Sequence, residues 1–448
     1  MSTANGAAGR GKVAYGRLFR NRNFAALWLG QTISFIGDYF YWLAVPIMVE
    51  RLTGSALMVG LSLISTALPM LFLGPVAGVF VDRWDRRRTM ITADVLRALL
   101  VLPCLVVRTP DQVWIYYVVG FSMSCVSRFF FPAQNAALPL IVTDKDDLLA
   151  ANGLMQVIQT VGLIVGPALA GFSIGLWGSQ VAFVVDSASF LASAAAILTM
   201  AVPRTTAGRQ IASGAGAGRQ VAAVWAEMRE GVAYLFGNRV MVGVLICLSL
   251  VQLGLGAINV LWVPYLQRTF GVGAEGLGIV DSAQGAGMII SGLALGFVAS
   301  RLSRTAMAGW AIIVIGLFLG GLGLAPSFGY IVALSFAVGL PLIPAQSALM
   351  TMMQLSVPDL KRGRVGSALN ALTTAAGLVS MGAAAVLGEA VGLRAIYVIS
   401  GLITMGGGVI GLFVLKEPEP SGTELLVGKV AAPAEVLASD QIVTTARG

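Results

Sequence analysis

Four carboxylates interrupt stretches that are otherwise apolar: Asp38, Asp94, Asp186 and Asp281. An ionised acid in hydrocarbon costs about 2.5–3.5 kcal/mol on insertion scales, so each needs a partner, water or a function. Asp94 and Arg97 stand three apart, on one helix face, and a mutual charge pair accounts for both. Asp186 and Asp281 lie about seven residues inside the ends of their segments, roughly 10 Å at a helical rise of about 1.5 Å per residue. At that depth hydration or the capping of neighbouring helices explains them. Asp38 differs. It lies near the middle of its segment beside Tyr39, Tyr41 and Trp42, with no basic residue near in sequence. An acid so placed is a candidate proton carrier, a helix–helix hydrogen bond being the alternative. The chain has no histidine, so the commonest proton shuttle and metal ligand is missing and proton chemistry falls to carboxylates. No metal spacing and no catalytic constellation is present, so neither a metal, a cofactor nor an enzyme activity is expected.

These residues must be positioned by membrane spans. Apolar residues make up 57% of the chain and charged ones 11%, against roughly 25% charged in soluble domains. Continuous apolar runs, rather than alternating ten-residue strands, predict an all-α polytopic protein. Twelve spans are expected at about 24–49, 57–81, 89–107, 112–135, 148–173, 179–201, 240–266, 275–299, 305–325, 329–352, 364–388 and 393–415. Residues 1–22 read as a cytosolic lead-in, 23–202 as a first six-helix bundle, 203–238 as a polar cytosolic link, 239–415 as a second six-helix bundle and 416–448 as a disordered cytosolic tail. Of the 29 Lys and Arg, only Arg51, Arg108, Arg268 and Arg394 fall in the loops of one side, with Arg97 and Arg128 inside spans. All the others fall on the side of the termini and the link, which is therefore expected to be cytoplasmic. The basic balance is membrane topology and not a nucleic-acid footprint. The three cysteines lie in apolar spans and read as small buried hydrophobes.

The two halves repeat. Asn21-Arg22 recurs as Asn238-Arg239, Gly74 and Gly78 recur as Gly292 and Gly296, and Pro132-Ala133-Gln134 recurs as Pro344-Ala345-Gln346. Three markers in order, at nearly constant spacing, predict a six-span unit repeated in parallel with a substrate path between the halves near the midplane. Gly74 and Gly78 share a helix face that permits close backbone approach.

Gly78-x3-Asp82-Arg83-x-x-Arg86-Arg87 resembles the signature loop between spans two and three of the major facilitator superfamily. Span five carries Gly153, Gly162, Gly166, Pro167 and Gly171, similar to the motif of that superfamily's drug/proton antiporters, with Ala170 where a glycine is usual. Ser34 to Asp38, Asp94-x2-Arg97, Phe183-x2-Asp186 and Gly363-Arg364-Val365 look like the bacterial branch containing enterobactin and macrolide exporters. The resemblance implies that Asp82, with its flanking arginines, docks against the start of span eleven when the cytoplasmic side is shut, an arrangement that a helix N-terminus favours by roughly 0.3–2 kcal/mol. Two departures stand out. Arg128 lacks the glycine that the family places four residues later, and Ser300 replaces the acid in the second copy of the hairpin.

Phe35, Arg128, Gln156, Gln159, Gln252, Asn259 and Trp262 are candidate cavity-lining residues, with helix packing as the alternative. The sequence thus predicts a monomeric efflux transporter in the bacterial plasma membrane, working by alternating access and exporting an amphiphilic small molecule, a drug-like compound or siderophore, in exchange for protons. A lipid or lysophospholipid flippase of the same fold is the alternative.

Overall fold

Two asparagines mark equivalent points in the two halves. Asn21 caps the first span by accepting from the backbone N–H groups of Asn23 and Phe24 at 3.1 and 3.3 Å. Asn238 caps the seventh by accepting from Val240 and Met241 at 3.0 and 3.2 Å. Each such cap satisfies orphan donors and is worth about 1 kcal/mol. The computed structural model describes residues 16–81, 83–202 and 217–415. Within it the first half contributes α1 (Arg22–Thr53), α2 (Ala56–Val81), α3 (Arg86–Val101), α4 (Trp114–Ile141), α5 (Lys145–Trp177) and α6 (Ser179–Leu198). A linker helix, α7 (Ala217–Gly237), follows. The second half contributes α8 (Arg239–Phe270), α9 (Ala274–Ala299), α10 (Arg304–Gly323), α11 (Phe328–Ser356), α12 (Asp359–Val391) and α13 (Leu393–Val414).

Twelve helical segments, α7 not among them, are long and apolar enough to cross a membrane, the third running from α3 through the next turn to Val106, as the sequence predicts. The repeat extends to the turns. Gly54 ends α1 and Gly271 ends α8, and both adopt the left-handed region, where a side chain would be strained. Asp85 caps α3 and Ser303 caps α10 at corresponding hairpins. Asp144 caps α5, and the backbone N–H groups of Asp147 and Asp146 hold its carboxyl below the usual carboxylate range.

The link from 203 to 238 is not simply polar. Its second part forms α7, whose Val224, Met228, Val232 and Leu235 recur at helical spacing and turn toward the bundle, while Trp225 stays exposed. The 1–15 part of the lead-in, Asp82, residues 203–216 of the link and the 416–448 tail lie outside the described residues.

Each half packs on itself, α1 against α6 and α5, α3 against α4 and α6, α8 against α12 and α13, and α10 against α13. The halves meet chiefly along two helix pairs, α2 with α12 and α5 with α9, with lighter contacts of α8 with α1 and α2. One end of the bundle, here the linker face, carries Arg17, Asp147, Ala201 and the linker helix: Arg17 lies 3.2 Å from Asp147, and Asn23 donates to the Ala201 carbonyl at 3.0 Å.

Candidate functional site

Glycines record how closely the halves approach. Toward the face opposite the linker, a Cβ on Gly60 of α2 would lie 2.5 Å from the Ala385 Cβ of α12. One on Gly171 of α5 would lie 2.5 Å from the Ala274 carbonyl of α9, and one on Gly278 of α9 would strike the Pro167 carbonyl of α5. Toward the linker face the picture reverses. Gly74 and Gly78 of α2, Gly153 of α5, Gly292 and Gly296 of α9, and Gly363 and Gly366 of α12 have, among the described residues, no neighbouring atom within 4 Å of a built Cβ. The close approach expected of Gly74 and Gly78 is therefore absent here, because the halves separate on that side. Gly162 and Gly166 pack within their own half, against the rings of Phe35 and Tyr39 on α1.

Charged side chains reinforce the closed face. Arg268 of α8 donates from Nε to Glu50 Oε1 of α1 at 2.5 Å and from Nη2 to Glu50 Oε2 at 3.0 Å. The same guanidinium reaches the Gly54 carbonyl at 2.8 Å. Glu389 of α12 lies 3.8 Å from Arg268 and accepts from the Ala56 N–H at 3.2 Å. Spans one and two are thereby tied to spans seven and eleven. Sequence reasoning misses this cluster, because charges at helix ends look like ordinary loop charge.

Beneath the closed face lies a cavity of about 430 Å³ between the halves, walled by Tyr39, Trp42, Met70, Arg128, Asn259, Trp262, Asp281 and Gln284 among others. A second, of about 390 Å³, opens inside the first half and is lined by Phe35, Asp38, Trp42, Arg97, Ser127 and Arg128. A third, of about 180 Å³, continues from Arg128 toward the linker side between Met70, Gly74, Ser367 and Asn370. Arg128 lines all three. Phe35, Arg128, Asn259 and Trp262 thus stand on cavity walls. Gln156 and Gln159 of α5 are not among the lining residues of these three cavities, and Gln252 packs beside Gly377.

The structure gives three of the acids neighbours that the sequence leaves open. Asp281 does not cap a neighbour: it faces the central cavity and accepts from Trp262 Nε1 at 2.9 Å. Asp186 is shielded from bulk solvent. It is fully buried on α6, which packs against α1 and α3, and neither of its oxygens has a hydrogen-bond partner among the described residues. Asp38 has a basic neighbour through space, since the Arg97 charge of α3 acts on it across the α1–α3 gap. Arg97 is buried, ion-paired to Asp94, and stacked between the rings of Phe130 and Phe190 at 4.6 and 4.3 Å. Distance along one helix gives depth but not which neighbour covers a residue, so sequence alone leaves this clustering open.

In the hairpin after α2, Arg87 donates Nε to the Ile197 carbonyl at 3.2 Å and also reaches the Leu198 carbonyl, so it anchors α3 within its own half. Arg86 opens α3, and Arg83 is half-buried beside the turn. The latch position itself, Asp82, lies outside the described residues.

Twelve spans in two equivalent halves, with a polar and aromatic cavity between them closed at one face, define a membrane transporter and not an enzyme. The family model of the Major Facilitator Superfamily matches residues 27–252 and 244–445, and the chain belongs to that superfamily. Among curated relatives, the chain is 30% identical to the uncharacterized MFS-type transporter YfiS of Bacillus subtilis (strain 168), covering 90% of this chain and 95% of that protein. It is 26% identical to macrolide efflux protein A of Streptococcus pyogenes, over 85% of this chain and 93% of the relative. It is 28% identical to the multidrug efflux pump Tap of Mycolicibacterium fortuitum, over 87% and 94%. Two solved structures share the fold at low identity. A bacterial homologue of the iron transporter ferroportin in an inward-facing state gives a TM-score of 0.70 at 16% identity, covering 89% of this chain and 99% of that one. The nucleoside transporter NupG gives 0.68 at 14%, covering 88% and 99%.

Proposed function

We propose that the chain is a secondary active efflux transporter that works by alternating access and exports an amphiphilic small molecule, a drug-like compound or siderophore, in exchange for protons. The observation that carries this reading is the cavity between the halves, shut on one side by Glu50, Arg268 and Glu389 and separated on the other. Its wall combines Tyr39, Trp42 and Trp262 with the polar side chains of Asp281 and Arg128, a surface suited to a molecule with both apolar and polar parts. The relatives named for macrolide and multidrug efflux support the same substrate class. The linker face is cytoplasmic in this reading, since the basic residues concentrate there, and the protein sits as a monomer in the bacterial plasma membrane. Asp82, with Gly78 and the flanking Arg83, Arg86 and Arg87, latches that face when the outer gate opens.

Asp38 carries the coupling proton, because it lines a cavity and can exchange with water from it. Asp38→Asn imitates the protonated form permanently. In proteoliposomes this variant exchanges substrate in counterflow but loses uphill transport driven by a pH gradient. Retention of full gradient-driven export by Asp38→Asn rejects the assignment.

A further inference from the structure

Charge in the first half does not balance around Asp38. Asp38 of α1, Asp94 of α3 and Asp186 of α6 are gathered around one buried guanidinium, that of Arg97. Arg97 is already bonded to Asp94 and held between two rings. Arg128 lines the cavity that Asp38 faces. Asp186 is buried from bulk solvent, and among the described residues neither of its oxygens has a hydrogen-bond donor.

The groups that face Asp186 are few. From α1 come Asp38 and Tyr41, from α3 Arg97, which is bonded to Asp94, and from the turn at Leu102–Val106 Cys104, with Tyr116 of α4 next to Tyr41. The hydroxyls of Tyr41 and Tyr116 are themselves buried without partners. On α5 the titratable side chains, Lys145, Asp146 and Asp147, all stand in its first turn at the linker face. An ionised carboxylate stripped of both water and donors is among the least favourable groups to bury, and a protonated one avoids that penalty.

Asp38 and Asp186 stand on helices that touch at their level. A Cβ built on Gly37, the neighbour of Asp38, would strike Ser189 Oγ and lie 3.6 Å from Asp186 Oδ1, so α1 and α6 touch at this level. Asp38 lines the open cavity, whereas Asp186 stands behind it.

We infer that Asp186 is a second proton-binding site, one that holds a proton behind Asp38 and exchanges it with the Asp38 carboxylate. In the exchange the O–H bond on Asp186 breaks and one forms on Asp38. The negative charge moves from Asp38 to Asp186, and the Arg97 guanidinium faces both. No electrons are transferred. The inference rests on the proton-coupled reading above for its role in transport, but the proton site itself can be observed without transport.

The test is infrared spectroscopy of the full-length protein in lipid vesicles at neutral pH, reading the C=O stretch of protonated carboxyls. Wild type and Asp38→Asn should show a solvent-shielded band that is missing from Asp186→Asn. Asp186→Glu should move that band without removing it, which separates loss of the proton from loss of the fold. An unchanged protonated-carboxyl spectrum in a folded Asp186→Asn variant overturns the inference. Gradient-driven transport by wild type is measured in the same vesicles. If wild type shows none while the band assigns to Asp186, the coupling reading fails and the proton site stands. If wild type is gradient-driven and the spectrum of Asp186→Asn is unchanged, the coupling reading stands and the second site falls.

Discussion

Arg268 and Glu50 join the two halves of the transporter through two hydrogen bonds, at 2.5 and 3.0 Å, on the face opposite the linker. Glu50 is buried and Arg268 about one-third exposed, so solvent weakens the pair without abolishing it. A hydrogen-bonded charge pair of this kind contributes about 1–3 kcal/mol. A transporter that alternates must break it once per cycle, and a contact of this size biases two states without freezing either.

Glu50→Gln keeps the shape and removes the charge. The expected outcome is a roughly tenfold shift toward the state open on the Arg268 face, since about 1.4 kcal/mol corresponds to tenfold. A single cysteine in place of Asn259, a cavity residue, reports it in a background lacking Cys104, Cys125 and Cys247. Labelling by an impermeant thiol reagent added at that face should accelerate. An unchanged rate means that the glycine contacts, with the Ala56–Glu389 and Arg268–Gly54 hydrogen bonds, hold the face shut without the Glu50 charge.

Those glycine contacts give a matched pair of substitutions. At Gly171 a new Cβ meets the Ala274 carbonyl at 2.5 Å and the Gly278 Cα at 3.0 Å, both backbone atoms that cannot swing aside. Overpacking of this kind costs typically about 1–3 kcal/mol. Gly171→Ala should therefore open the same face in the cysteine assay. Gly153→Ala on the same helix meets nothing within 4 Å and should leave the labelling rate unchanged. Equal effects from the two would show that helix propensity, not contact between the halves, is being measured.

Much of this architecture is legible in the sequence because the bilayer imposes it. Long apolar runs of this kind can only be helices, and the repeated Asn-Arg pairs sit where caps are needed. The acids are visible as misfits in those runs, but their partners are not. Asp186 and Asp38 are distant in sequence and meet only because α1 and α6 run antiparallel with Gly37 against Ser189. Glu50 and Arg268 are equally distant, and each looks ordinary at the end of a span. The helix in the link is legible in principle, since Val224, Met228 and Leu235 recur at helical spacing, but the polar residues between them outweigh that signal.

Trp262 and Asp281 supply the next prediction. The indole donates to the carboxylate at 2.9 Å while both line the central cavity. Trp262→Phe keeps an aromatic wall and removes the donor. Leaving a buried acceptor without its donor costs about 1–3 kcal/mol, so a substrate that contacts Asp281 should change its KM by about tenfold. Transport of a substrate panel by wild type and variant checks this. Identical KM values across the panel would place the substrate elsewhere in the cavity.

The linker helix offers the last. Arg364, near the start of α12, donates to Glu230 at 2.7 Å and to Glu227 at 3.3 Å, both on α7. Lys361 adds a contact to Glu230 at 3.6 Å, and Tyr234 donates to the Ser356 carbonyl at 3.1 Å. A Cβ on Gly231 would strike the Arg364 carbonyl, so α7 lies directly on the α12 backbone. The ion pairs are substantially exposed, and such pairs contribute about 0.2–1 kcal/mol each. The apolar face through Leu235, which is fully buried, carries more of the docking. Arg364→Ala should therefore raise amide exchange across Glu227–Gly237 by only a few fold, whereas Leu235→Ala should release the helix more fully at a cost of about 2–5 kcal/mol. Hydrogen exchange read by mass spectrometry distinguishes them. A larger effect from Arg364→Ala than from Leu235→Ala would make the docking electrostatic, and it would then weaken steeply with added salt.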